Sequence, residues 1–375
     1  MESIWAKVPI VWLAGVRRSG KTTLAESLPD CTLVNCDLPS SRAKLEDPEW
    51  FFENLKTRTV VFDEIHQLSN PSELLKLGAD CYGHKHKILA TGSSTLAATT
   101  KFTDSLTGRK RSLHFLPVLP EECAPFGVKN FQQRLLKGGL PPALMSDSLD
   151  LDFYSEWIDS FYARDIQELF RIEKRQPFIQ LVEILLRQNG GLAEPTNLAK
   201  MVGLSRPTII RYLEALETTQ AITILRPYYG GGKQELISQP KIYGFDTGFV
   251  AFARGWTDLR PEDCGQLLEN LTLESLQAIP QIKSIHYWRT KQQNEIDFII
   301  PLGRDTVHAV ECKWKADQFS PDAILKFREN YPKGENFLVC LNPHKEQLKI
   351  NSKLSMRVVS ILDFRQMFQK SLGKP

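Results

Sequence analysis

Several things are scarce or missing from this 375-residue chain. No run of about 18 apolar residues occurs, so no membrane-spanning helix is expected. The seven cysteines are scattered at positions 31, 36, 81, 123, 264, 312 and 340 without a Cys-x-x-Cys pair. That pattern argues against a zinc ribbon or a disulfide framework and fits a reducing compartment, so a cytoplasmic protein is expected. Charge of one sign is scarce as well: 47 Lys and Arg face 44 Asp and Glu, a net charge of +3. Any binding of nucleic acid must then rest on local patches rather than on bulk charge. The first apolar run leads straight into Arg17-Arg18, so a secretory signal is not expected.

What is present is an ordinary globular composition, 42% hydrophobic and 24% charged, at a length that suits two to three domains. The stretch that organises the rest is Pro9 to Leu28. Ile10 to Ala14 reads as a buried strand. Gly15 to Thr22 fits GxxxxGK[ST], and Leu24, Ala25 and Leu28 follow at helical spacing. Strand, glycine loop and helix form the setting of a phosphate-binding loop, in which backbone N–H groups converge on an anion. Gly15, Val16, Arg17, Arg18, Ser19, Gly20, Lys21, Thr22 and Thr23 are therefore candidate ATP-binding residues. Lys21 is expected to reach the β- and γ-phosphates, and the Thr22 hydroxyl to bind Mg²⁺.

Two further strands support that reading. Thr59 to His66 puts Asp63-Glu64 at the end of an apolar strand, with Asp63 expected to hold Mg²⁺ and Glu64 to polarise the attacking water. Lys87 to Ser94 is another apolar strand, expected between the other two, which would bring Ser93 or Ser94 near the γ-phosphate. The basic cluster Arg109-Lys-Arg111 precedes a last strand, Ser112 to Leu116.

These motifs together resemble an AAA-type ATPase. More narrowly, the chain resembles a large prokaryotic family of such ATPases with a restriction-endonuclease-like C-terminal domain. The later motifs that carry this resemblance are Gly138-Gly-Leu-Pro141, Tyr162-Ala-Arg-Asp165, Lys241-Ile-Tyr-Gly-Phe-Asp-Thr-Gly248 and Asn294-Glu-Ile-Asp297. The resemblance implies a homo-oligomer, a ring with nucleotide sites at subunit interfaces. It makes Arg109 the first candidate for an arginine finger, with Arg111 next.

The remainder reads in three parts. Leu151 to Ile172 is amphipathic and resembles the helical lid of these ATPases; its Arg164-Asp165 is either a lid ion pair or a γ-phosphate sensor. Residues 176–250 show helix, glycine turn and capped helix, then two short strands around Tyr228 to Lys233. That is the order of a winged helix. Ser205, Arg206, Thr208, Arg211 and Lys233 are its candidate DNA contacts, with subunit packing as the competing use. In residues 251–375, period-2 spacing puts Glu295 with Asp297, and Glu311 with Lys313, on shared strand faces. Asp297, Glu311 and Lys313 could converge with Glu269 from a preceding helix. Three carboxylates suit Mg²⁺, and a lysine beside them stabilises charge developing on phosphate. This set resembles PD-(D/E)xK nucleases, with Asp297 as the D, Glu311-Cys-Lys313 as the ExK and Glu269 as the helix glutamate.

The expected architecture is α/β: an AAA-type P-loop ATPase core over 1–119, a helical lid over 120–175, a winged-helix module over 176–250 and an α/β PD-(D/E)xK domain over 251–375. The expected function is ATP-driven remodelling or positioning of DNA, including branched DNA, with metal-dependent cleavage. The alternative is an ATP-switched DNA clamp or regulator whose nuclease-like domain only grips.

Overall fold

The computed structural model describes residues 1–92, 106–128, 130–167, 170–229, 239–351 and 354–373. They group into two compact units. The first holds Met1–Leu116, Asp159–Ile172 and Thr218–Gln220; the second holds Pro117–Ile158, Glu173–Glu217 and Ala221–Pro375. The segment expected as a single lid over 120–175 is thus divided: residues 117–158 cluster with the C-terminal half, and 159–172 with the N-terminal strands. Its helix also stops earlier than the periodicity suggests. Leu151–Phe161 is α-helical and Tyr162–Gln167 forms a π-helical turn.

In the first unit, β1 (Ile10–Ala14), β2 (Cys31–Asn35), β3 (Thr59–Asp63), β4 (Lys87–Thr91) and β5 (Lys110–His114) form a parallel sheet in the order β2-β3-β4-β1-β5. Every residue of β1 and β3 is buried, as a parallel sheet covered on both faces requires. Alternation along β1 divides the core. Ile10, Trp12 and Ala14 join Phe52, Phe62 and Leu75 on one face, while Val11 and Leu13 join Ala25, Val61 and Leu89 on the other. All the C-terminal ends therefore point to one edge of the sheet, where the glycine loop and Asp63-Glu64 emerge.

In the second unit, the helices Arg175–Arg187, Pro195–Val202 and Arg206–Thr218 accompany an antiparallel sheet of β6 (Gly191–Leu192), β7 (Ile222–Leu225) and β8 (Lys241–Gly244), ordered β6-β8-β7. A six-stranded mixed sheet follows. Its strands are β9 (His286–Arg289), β10 (Glu295–Pro301), β11 (Val307–Cys312), β12 (Asn336–Cys340), β13 (Gln347–Lys349) and β14 (Ser355–Ser360), ordered β13-β14-β12-β11-β10-β9. The helix Pro261–Gln277 is buried along most of its length.

Arg134 ties this unit together. Its side chain is fully buried and donates to Val118 O at 2.8 Å, Thr247 Oγ1 at 3.1 Å and Glu274 Oε2 at 2.7 Å. Asp246 accepts from the Gly139 N–H at 2.6 Å and the Gly248 N–H at 2.8 Å. A Cβ on Gly138 would lie 1.9 Å from Asp246 Oδ1, and one on Gly139 would lie 2.5 Å from an Arg134 nitrogen. The two glycines are thus required by close approach. The Gly138-Gly139 and Asp246-Thr247-Gly248 motifs meet at one buried node.

Candidate functional site

The loop after β1 is built as a cradle. Gly15 is forced by packing, since a Cβ there would lie 2.4 Å from Phe115 O. Arg18 (φ 61°) and Gly20 (φ 99°) take left-handed conformations, which turn the chain into the helix Lys21–Glu26. Lys21 is buried, and its ammonium donates to Gly15 O at 3.0 Å and Val16 O at 2.8 Å. Burial pushes its pKa below the ordinary lysine value, against the pull of Glu64 and Asp63. Among the described residues, Ser19 Oγ is buried without a hydrogen-bond partner. A polar atom orphaned beside a buried ammonium fits an incoming anion.

Asp63 closes the other side. Thr22 Oγ1 donates to Asp63 Oδ2 at 2.8 Å, so the hydroxyl and the carboxylate expected to share Mg²⁺ are already together. The other Asp63 oxygen accepts from Thr91 Oγ1, a fully buried hydroxyl at the end of β4 that also accepts from the Glu64 N–H at 3.1 Å. Glu64 has φ 53°, a left-handed conformation costing a non-glycine residue about 1–2 kcal/mol. Its carboxylate lies 3.1 Å from His66 Nδ1. Burial raises its pKa, but His66 and Lys21 more than offset that and leave Glu64 ionised more readily than usual. Asp165, from the π-helical turn, pairs with Arg17. Burial pushes the Asp165 carboxyl up against the opposing pull of Arg17.

The second unit holds the acidic group. β10 and β11 are antiparallel with Phe298 opposite Val310, so one step further sets Asp297 opposite Glu311. Asp297 and Glu311 are buried. Asp297 Oδ2 accepts from the Cys312 N–H at 2.8 Å, and Lys313 Nζ donates to Glu311 Oε2 at 3.1 Å. Burial and the charge of Asp297 hold Glu311 well above the carboxylate range, and burial and Asp297 likewise raise Glu269. Glu269 is engaged from β8: Tyr243 Oη donates to its Oε1, and Lys241 Nζ lies 3.4 Å from the same oxygen.

These are the carboxylates of the metal site that the sequence reading expects at Glu269, Asp297 and Glu311. Among the described residues, no group of three or more His, Cys, Asp or Glu side chains is arranged to hold a metal ion. Glu269, Asp297 and Glu311 each accept from a donor of the protein.

Comparison with known families bears on the cradle. Residues 7–124 match the family model described as the AAA domain. This segment is an AAA-type P-loop ATPase domain. Residues 128–260 and 264–364 match two models described as domains of unknown function, DUF8612 and DUF4143. The uncharacterized proteins Rv2008c of Mycobacterium tuberculosis and Mb2031c of Mycobacterium bovis are each 27% identical over 79% of this chain and 68% of their own length. Among solved structures, the Orc1 protein of Aeropyrum pernix in complex with DNA is 11% identical, covering 65% of this chain and 86% of that one, with a TM-score of 0.28. Cdc6p of Pyrobaculum aerophilum is 11% identical, covering 70% of this chain and 89% of that one, with a TM-score of 0.26.

The cradle of the ATPase domain brings together Gly15 to Thr22, Asp63 and Glu64, with Thr23 exposed on the following helix. Arg109 is not brought to it. It immediately precedes β5, level with Pro9 and so six residues back from Gly15, roughly 20 Å at ~3.3 Å per residue. There its guanidinium makes a two-point contact with Asp80, at 2.6 and 3.0 Å. Ser93 and Lys233 lie outside the described residues. Ser205, Arg206 and Arg211 are exposed and Thr208 partly so, and Ser205 Oγ lies 2.7 Å from Thr208 Oγ1 at the start of its helix.

Sequence reasoning missed Thr91, Lys241 and Tyr243. The signal for Thr91 was a hydroxyl ending an apolar strand, two residues before the serine chosen. Among the described residues, no helix is long and apolar enough to cross a membrane.

Proposed function

We propose that the protein is an ATP-hydrolysing DNA-binding protein that uses nucleotide turnover to position or remodel DNA. The observation that carries the ATP half is the joint arrangement of Lys21, Thr22, Asp63 and Glu64 at the glycine loop, where the Ser19 hydroxyl is buried without a partner among the described residues. Thr22 and Asp63 would hold Mg²⁺, which when bound supplies charge neutralisation on the β- and γ-phosphates. Lys21 exchanges two backbone carbonyls for phosphate oxygens. Glu64, kept ionised, orients a water and takes up its proton. Arg109 belongs to the opposite end of β5, which suits a role in a neighbouring subunit's site within a homo-oligomer.

The DNA half rests on residues 176–250 read as a winged helix. Exposed Ser205, Arg206 and Arg211 stand on its second-helix face, and polar and cationic side chains on such a helix suit phosphate and base edges. A second reading adds cleavage by a PD-(D/E)xK site. What favours it is that Asp297 and Glu311 face each other on paired strands with Lys313 beside them.

One set of assays tests these readings. ATP hydrolysis should vanish in Lys21→Ala. Loss in Arg109→Ala should be restored by mixing with Glu64→Gln subunits if sites are shared. DNA affinity should fall steeply with salt. An unchanged ATPase rate in Lys21→Ala removes the first reading. Absence of nicks on duplex, single-stranded and four-way-junction DNA with Mg²⁺, with or without ATP, removes the second.

A further inference from the structure

The acidic pocket of the second unit contains a cation of its own. Lys241 opens β8 with only 4% of its side chain exposed. Its ammonium lies 3.4 Å from Glu269 Oε1 and 2.5 Å from Glu295 Oε1, and 5.6 Å from the centre of the Tyr287 ring. Tyr243, two residues on, donates to the same Glu269 oxygen. Arg289 holds the other Glu295 oxygen at 2.9 Å. Asp297 and Glu311 complete the group with their own donors, the Cys312 N–H and Lys313.

We propose that Lys241 is the resident cation of this pocket, and that the resting protein binds no divalent metal ion there. Among the described residues, Lys241 lies against Glu269 and Glu295, Arg289 against Glu295, and Lys313 against Glu311. A divalent ion needs several oxygen ligands at once, and Glu269 Oε1 already serves two donors. Charge-assisted contacts are stronger than neutral ones. Lys241 cannot leave by fraying, because β8 is the central strand between β6 and β7, with Lys241 paired to Leu192 on one side and Leu225 on the other. A metal can enter only where β8 withdraws. This inference competes with the metal-dependent cleavage reading, which needs a divalent ion among these same carboxylates.

The test is Mn²⁺ binding, followed by the loss of free-ion electron paramagnetic resonance signal, on the full chain without nucleotide. Wild type and Asp297→Asn should bind the same number of ions, so the pocket contributes none. Lys241→Met should gain one equivalent, and Lys241→Met with Asp297→Asn should lose it again. Lys241→Arg keeps the charge and should match wild type. Bound Mn²⁺ in wild type that disappears in Asp297→Asn overturns the proposal, as does a folded Lys241→Met that gains nothing. Should Lys241→Met fail to fold, the wild-type and Asp297→Asn comparison decides alone.

Discussion

Two lysines are buried to a similar degree, Lys21 at 8% exposure and Lys241 at 3%, yet their pKa values shift in opposite directions. The hydrogen bonds of Lys21 go to two backbone carbonyls, and burial lowers its pKa. Burial acts on Lys241 in the same direction, but Glu269, Asp297 and Glu295 overcome it and raise its pKa. The difference teaches how to tell a waiting cation from a satisfied one. A buried ammonium short of countercharge gains when an anion arrives. One already held by carboxylates is part of the fold and has nothing left to offer.

The largest expected effect is on stability. Lys241→Met strands buried carboxylates and should cost about 3–5 kcal/mol in denaturant unfolding. Lys21→Met, at similar burial, should cost the nucleotide-free protein less, about 1–3 kcal/mol, because two buried backbone carbonyls rather than carboxylates lose a donor. Equal losses in the two variants would break the comparison.

A third buried base sharpens it. Burial and then the charge of Arg328 push the His308 pKa down to about 4, and His308 accepts from the Glu335 N–H at 3.0 Å. The folded state keeps it neutral while the unfolded chain protonates it near 6.5. Stability is therefore lost as pH falls from about 6.5 toward 4, by up to about 3 kcal/mol. Unfolding curves of His308→Gln should be flatter across that window; a parallel pH profile would remove His308 from the account.

Nucleotide addresses the waiting lysine directly. At a hundredfold excess over Kd, ATP should stabilise wild type by about 2.7 kcal/mol, and a thermal-shift measurement should show that gain missing in Lys21→Met. The smallest effect concerns pH. Because the Lys21 pKa is lowered, ATP affinity should begin to decline at a pH below 10.5, as the ammonium loses its proton early. In Lys21→Arg that decline should not appear in calorimetric titrations over the same range.

The cradle was legible in the sequence because it is local or lies at strand ends. The motif Gly15 to Thr22 is continuous, and Asp63 announces itself by closing an apolar run. β4, expected between the P-loop strand and the acidic strand, lies there. The acidic residues of the second unit were equally visible, and Asp297 and Glu311 do face each other across β10 and β11. What could not be read was their neutralisation. Lys241 comes from a strand 28 residues before Glu269 and 54 before Glu295. Its motif was noticed as a string, but a string does not say which side chain turns inward. The same holds for Arg134, an ordinary cation on a short helix until Glu274, 140 residues later, meets it. The helical stretch through Ile172 misled because its apolar spacing continues through a π-turn that hands Asp165 to Arg17.

The glycine pair packed against Asp246 and Arg134 has a kinetic meaning. Residues 134, 139, 246 and 274 must arrive together, and closing a segment of 140 residues costs roughly 4 kcal/mol of chain entropy before any contact repays it. No local fragment of the second unit can assemble this knot ahead of the rest. Refolding of that unit should then proceed on the slow timescale of long-range topologies.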